Sequence, residues 1–226
     1  ESAMLKLGGS VISTENAAEF SSAFKGESIE DTVRMAGLYA DAIVLRHPQA
    51  GTLARAAKVA VVPIINAGDG AGEHPTQALL DIYTIRKERK KIDGLTIGMV
   101  GDIKYSRVLR SLIKFLGLYK NLTLHFANPP ELPMTDEDCT FLKSHKIPFT
   151  EHATLDPFLS SVDILYVTRV QKERFASRAQ YEKLKSAFVI TPAIADKMKK
   201  SAIIMHALPR ITEITPEVDD NPRAAY

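Results

Sequence analysis

The stretch INAGDGAGEHPTQALLDIYTIRKE, residues 65–88, runs from a glycine-rich turn into His74-Pro75-Thr76-Gln77 and then into a helix-like segment. Proline suits the first helical position, because the amide hydrogen it lacks would find no intrahelical acceptor there. The stretch therefore predicts a strand handing over, through glycines, to a helix across 75–90. Outward from it, short apolar runs alternate with helical patterns. Candidate strands are AIVLR (42–46), VVPIIN (61–66), LTIGMVGD (95–102), LTLHFA (122–127), DILYVT (163–168) and AIIMHA (202–207). Their apolar residues are nearly continuous, as in strands covered on both faces. Helix-like segments fall at 29–39, 50–58, 75–90, 105–118, 135–145, 155–161, 178–186 and 192–200. This alternation predicts an α/β fold, read as two doubly wound parallel-sheet domains in tandem. The boundary is expected in GDGAGEHP (68–75), giving domains of residues 1–75 and 76–226.

With 45% apolar and 25% charged residues, the chain of 226 has ample core material. No run of eighteen apolar residues suggests a membrane span. Lys and Arg number 29 against 27 Asp and Glu, so no global field draws the chain to nucleic acid. The basic run RKERKK (86–91) reads as the solvated last turn of a helix, where cations suit the dipole. The single cysteine, Cys139, excludes an internal disulfide and points to a reducing, cytoplasmic setting.

The ends of the candidate strands carry the chemistry. AIVL is followed by Arg46 and His47, the glycine turn by His74, VGDIKYS by Arg107, DILYVT by Arg169 and AIIM by His206. Ligands of open parallel sheets bind beyond the carboxyl ends of the strands, where helix N-termini also point. Cations and imidazoles recurring there suit a small anion bearing phosphate or carboxylate groups. Each residue also has a plainer reading. Glu73-His74-Pro75-Thr76 can be helix capping alone, and each arginine can pair with a carboxylate such as Asp102 or Glu173. No GxSxG elbow, P-loop, GxGxxG fingerprint or metal-ligand spacing is present, so neither a metal nor a cofactor is expected.

Five segments carry a family resemblance: LRHPQ (45–49), NAGDGAGEHPTQALLDIYTI (66–85), MVGDIKYSR (99–107), YVTRVQKERF (166–175) and HALPRITEI (206–214). Together they resemble the catalytic chain of aspartate transcarbamoylase, in the right order through essentially the whole chain. KGESIEDTVR (25–34) is similar to that family's mobile loop and following helix. The resemblance implies a carbamoyl-phosphate-binding domain and an aspartate-binding domain. Their reaction joins carbamoyl phosphate and L-aspartate into N-carbamoyl-L-aspartate and phosphate, in pyrimidine biosynthesis. It also implies a homotrimer with sites shared between subunits, and in some members a regulatory subunit or a multienzyme fusion. Arg46 and His74 would polarise the carbamoyl oxygen and Gln77 would face the carbamoyl amide. Arg107, Arg169 and Gln171 would hold the aspartate, and Ser21 and Lys25 would reach a neighbouring subunit's site. The backbone at Ala207 and Leu208 would accept hydrogen bonds, next to a cis Leu208–Pro209 bond.

The sister enzyme acting on ornithine would carry HPCQ in place of HPTQ, and a segment built to receive a cation. TRVQKER (168–174) instead suits an acidic second substrate. The family's Ser-Thr-Arg-Thr phosphate loop is expected a few residues before Glu1, and its C-terminal helix beyond Tyr226. The sequence therefore reads as part of a longer polypeptide, its first domain incomplete and its own hold on carbamoyl phosphate poor. Ala207 where the family has proline, and Ser106 where glycine is commoner, read as variation. A non-catalytic module of this fold stays open as the second reading.

Overall fold

The computed structural model describes residues 1–14, 26–170, 177–184 and 188–226. The chain divides into two units, Glu1–Gly72 and Glu73–Tyr226. In the first, α1 (Ser2–Lys6) precedes α2 (Ile29–Gly37), β1 (Ile43–His47), α3 (Thr52–Val59) and β2 (Ile64–Asp69). The Ser28 side chain caps α2 by accepting from the Asp31 amide, satisfying a donor that the helix itself cannot. β1 and β2 pair in parallel, with α2 and α3 packed around Val33, Leu53 and Ala56. Val44 and Ile65 on these strands stay exposed. The second strand begins at Ile64 and runs through Asp69, later than the apolar run VVPIIN predicts. Backbone pairing reaches Asp69 opposite His47 across a bulge, so residues that look like turn formers complete the strand.

The second unit opens with α4 (Pro75–Arg89), then β3 (Thr96–Val100), α5 (Arg107–Leu116), β4 (Thr123–Ala127), α6 (Asp136–Ser144) and β5 (Phe149–His152). α7 (Asp156–Leu159), β6 (Ile164–Val167), α8 (Arg178–Leu184), α9 (Pro192–Ala195), β7 (Ile203–His206) and a 3-10 turn (Pro216–Asp220) complete it. The five strands form one parallel sheet in the order β5-β4-β3-β6-β7. The chain starts at the central β3, builds outward through β4 and β5, and returns to add β6 and β7 on the other side. Strand side chains alternate between two cores. Ile97, Met99, Phe126, Tyr166 and Met205 pack with α4 and α5, whereas Val100, Leu165, Val167 and Ile204 pack with Phe158 and Ile190.

Two further expectations differ from the structure. β5 is not announced by an apolar run, because as an edge strand with exposed Thr150 and Glu151 it buries little. The helix expected over 192–200 ends at Ala195. The Arg223 guanidinium donates to the carbonyls of Met198 and Lys199, holding the chain in a turn there.

Between β3 and β6 the order of strand addition reverses, and in open α/β sheets such a reversal leaves a crevice at the carboxyl ends. Gly101 follows β3 there with φ of +112°, and a Cβ on it would lie 2.2 Å from the Thr168 carbonyl oxygen. Thr168 in turn donates its amide and its hydroxyl to the Val100 carbonyl, at 2.8 and 3.1 Å. Only glycine fits both the conformation and the approach. Gly101→Ala is expected to destabilise the protein by roughly 2–4 kcal/mol in urea unfolding. Gly94→Ala, at φ of +78° with nothing within 4 Å of the added Cβ, is the control. It should lose about 1 kcal/mol from backbone strain alone.

Candidate active site

α4 runs against the direction of the strands. At its C-terminal end Arg89 bonds Asp163, just before β6, and the Ser201 carbonyl, just before β7. The predicted solvated basic run is thus partly a structural tie. The start of α4 consequently lies toward the carboxyl ends of the sheet. His74 is its entry residue, with Pro75 in the first turn, and the His74 side chain makes no capping bond to the helix. Its backbone amide donates to Ser111 Oγ of α5 at 2.8 Å. The Ser111 hydroxyl donates to Glu73, which Lys114 also grips. The bond to Glu73 raises the Lys114 pKa. Helix entry is therefore secured by α5, while the His74 imidazole meets the Thr76 hydroxyl through Nδ1 at 3.3 Å.

One turn into α4, Gln77 donates from Nε2 to Asp81 Oδ1 at 3.0 Å, and Tyr166 of β6 donates its hydroxyl to Asp81 Oδ2 at 2.8 Å. Asp81 is 2% exposed. Burial lifts its pKa to about 6, although the bonds from Gln77 and Tyr166, and any positive charge on the His206 ring, pull it down. Burial and the Asp81 carboxylate hold the Tyr166 phenol well above its ordinary range.

Beyond β7, His206 shapes the loop that follows. Its Nδ1 accepts from the Leu208 amide at 2.8 Å, and its Nε2 lies 2.9 Å from Glu213 Oε1. An acceptor at Nδ1 places the ring proton on Nε2, as donor to Glu213. The other Glu213 oxygen accepts from the amides of Ile211 and Thr212. Burial works to raise the Glu213 pKa, but the His206 bond and backbone amides outweigh it and bring it to about 2. Arg210 pairs with Asp219, which also accepts from the Tyr226 hydroxyl. Leu208 has φ of +45° and the Leu208–Pro209 peptide is cis.

Arg46 is exposed on β1 of the first unit. His74 and Gln77 are half-buried at the start of α4, Arg107 at the start of α5, and Arg169 two residues past β6. Ala207 and Leu208 follow β7, with Leu208 exposed. The second unit thus brings His74, Gln77, Arg107, Arg169, Ala207 and Leu208 to the carboxyl-end rim of one sheet. Asp102, offered above as a partner for a nearby arginine, accepts from the Tyr105 amide, and among the described residues Arg169 makes no ion pair. Ser21, Lys25 and Gln171 lie outside the described residues, as does Glu173. Among the described residues no group of three or more metal-ligating side chains occurs, and no helix is long and apolar enough to cross a membrane.

Asp81, Tyr166, Glu213 and Ser111 did not emerge from the sequence reading. Asp81 had a signal: it lies in the buried stripe of α4 with Ala78, Ile82 and Ile85, where a carboxylate needs partners.

Residues 1–87 match the family model described as the aspartate/ornithine carbamoyltransferase carbamoyl-P binding domain. Residues 93–226 match the Asp/Orn binding domain of the same family. Aspartate carbamoyltransferase 2, chloroplastic, of Pisum sativum is 49% identical over 227 residues, covering 100% of this chain and 59% of the relative. The chain belongs to the aspartate carbamoyltransferase catalytic-chain family. A second family relative, the multifunctional protein CAD of Squalus acanthias, is 50% identical over 224 residues, 99% of this chain and 10% of that protein. The aspartate transcarbamoylase of Trypanosoma cruzi, solved in complex with N-(phosphonacetyl)-L-aspartic acid, superposes with a TM-score of 0.92 at 40% identity. That comparison covers 100% of this chain and 72% of the solved one. The chain therefore spans 59% of the length of its pea relative.

Two of the buried carboxylates, Asp81 and Glu213, act on stability with opposite sign. Asp81, with its pKa raised from 3.8 to about 6, detracts from stability as pH rises through that interval. Glu213, lowered from 4.5 to about 2, contributes stability that is complete above 4.5 and lost as pH falls toward 2. Glu213→Gln is expected to cost roughly 2–3 kcal/mol at neutral pH in urea unfolding, with the difference from wild type vanishing by about pH 2.

Proposed function

We propose that the protein carrying this chain transfers the carbamoyl group of carbamoyl phosphate to the amine of L-aspartate, giving N-carbamoyl-L-aspartate and phosphate. The observation that carries this reading is the rim of the second unit. It combines Arg169, without an ion pair among the described residues, with His74 and Gln77 at one helix start. The Trypanosoma relative's complex, with one molecule that joins a phosphonate to an aspartate, supports a single site for both substrates.

The groups suit the chemistry. Attack by the neutral amine of aspartate on the carbamoyl carbon builds negative charge on the carbonyl oxygen while phosphate departs. His74 and Arg46 donate to that oxygen, and Arg46 also meets the phosphate. Donors aimed where charge grows lower the barrier more than they tighten substrate binding. Gln77 presents its amide oxygen to the carbamoyl NH2. Arg107, Arg169 and Gln171 grip the two carboxylates of aspartate and so aim its amine. The carbonyls of Ala207 and Leu208 accept from the amine and the carbamoyl group. Ser21 and Lys25 complete the site of a neighbouring copy in a homotrimer. The long CAD relative supports fusion to other enzymes as one natural setting for such a chain. The lone, half-buried Cys139 supports a reducing compartment such as the cytosol.

The test is carbamoyl aspartate formation by the full-length protein, with ornithine as the alternative acceptor. His74→Ala is expected to lower kcat by about 10²–10³-fold with a smaller change in KM. Arg169→Ala is expected to raise the KM for aspartate by at least about tenfold. An unchanged KM for aspartate would remove Arg169 from the site, and turnover of ornithine in preference to aspartate would overturn the assignment.

A further inference from the structure

We propose that Asp81 is a positioning residue for Gln77, and that its ionised carboxylate decides which end of the Gln77 amide meets the carbamoyl group. The proposal rests on the carbamoyl-transfer reading above and extends it to a side chain outside the substrate's reach. An ionised carboxylate only accepts hydrogen bonds. With Tyr166 donating to one oxygen of Asp81, the other must draw in the NH2 end of Gln77, as the 3.0 Å contact from Nε2 has it. The amide oxygen is then the end left for the substrate. A carbamoyl NH2 is a donor, so it needs that acceptor.

Protonation reverses the logic. A protonated Asp81 becomes a donor, and its best partner on Gln77 is the amide oxygen. The amide turns over and presents NH2 to NH2, a contact with no hydrogen bond in it. Gln77 itself carries no charge, so only its buried neighbour gives it a preferred orientation. The surroundings of Asp81 determine when that happens. From β6 it faces Tyr166 and from β7 His206, whose charge when protonated favours the carboxylate. On the neighbouring α5, Lys114 is engaged with Glu73 and Glu137 and Arg110 with Asp138, and Arg107 stands at the helix start. Burial dominates, and the carboxyl titrates at about 6, where a surface aspartate would already be fully ionised. Carbamoyl transfer therefore carries an acid limb that originates one helical turn away from the reacting atoms.

The experiment compares wild type, Asp81→Asn and Tyr166→Phe in the full-length protein, reading kcat and KM for carbamoyl phosphate against pH. It also follows the side-chain amide signals of Gln77 by NMR of glutamine-labelled, substrate-free protein, identified by their loss in Gln77→Ala. The wild-type acid limb and the Gln77 amide signals should share a midpoint near the Asp81 value of about 6. Asp81→Asn should lower kcat at pH 8 by about 10–100-fold and abolish both titrations. Tyr166→Phe removes a donor to the carboxylate, so both midpoints should move to higher pH. A limb unchanged in Asp81→Asn, Gln77 signals that ignore pH in wild type, or a midpoint that Tyr166→Phe leaves in place would overturn the proposal. The NMR arm needs neither turnover nor the Asp81→Asn fold, so it tests Asp81 even if the enzyme forms no carbamoyl aspartate. That last result would instead sink the activity reading.

Discussion

The second unit hangs on a carboxylate buried between a helix and a sheet. Asp81 reaches from α4 to Tyr166 of β6 and back to Gln77, and these contacts hold the helix start against the strand that leads to Arg169. A buried, singly bonded carboxylate would be a serious cost; with both oxygens accepting, it becomes a directional tie in a core that is otherwise apolar and slippery. The packing of Ala78, Ile82 and Ile85 would tolerate small rotations of the helix, whereas the bond from Tyr166 of β6 to Asp81 does not.

Glu213 is the counterpart at the end of β7, where it meets His206. Both carboxylates are nearly inaccessible, yet one is pushed toward its neutral form and the other deeply into its charged form. The difference is the number of donors. Glu213 collects the His206 ring and the amides of Ile211 and Thr212, while Asp81 has a neutral amide and a phenol. Neighbouring acids set apart in this way let one scaffold keep a rigid loop and a titratable helix start within the same pH range.

Much of this was legible in the sequence. Near-continuous apolar runs located β3, β4, β6 and β7 because strands covered on both faces have no room for alternation. Pro75 marked the start of α4, and the cations and imidazoles after the strands marked the rim where they are found. What stayed hidden was whatever depends on partners distant in the chain. β5 is defined by pairing with β4 rather than by its own apolarity. Arg89 looked like one more surface cation until Asp163 and Ser201 were beside it. Glu213 sits in a polar loop whose shape no local pattern encodes, since its main partner is a histidine on the strand before it.

α4 is held at three levels: Glu73 and the His74 amide at its start, Asp81 in its middle and Arg89 at its end. A helix fastened this way works as a ruler. Adding or removing one residue between Glu73 and Arg89 would rotate everything beyond that point by about 100° and slide it by about 1.5 Å. No placement of such a change leaves all three fastenings in register. Length variation among natural versions of this chain must then be absorbed before Glu73 or after Arg89, and the interval between those two residues is a fixed distance written into the protein.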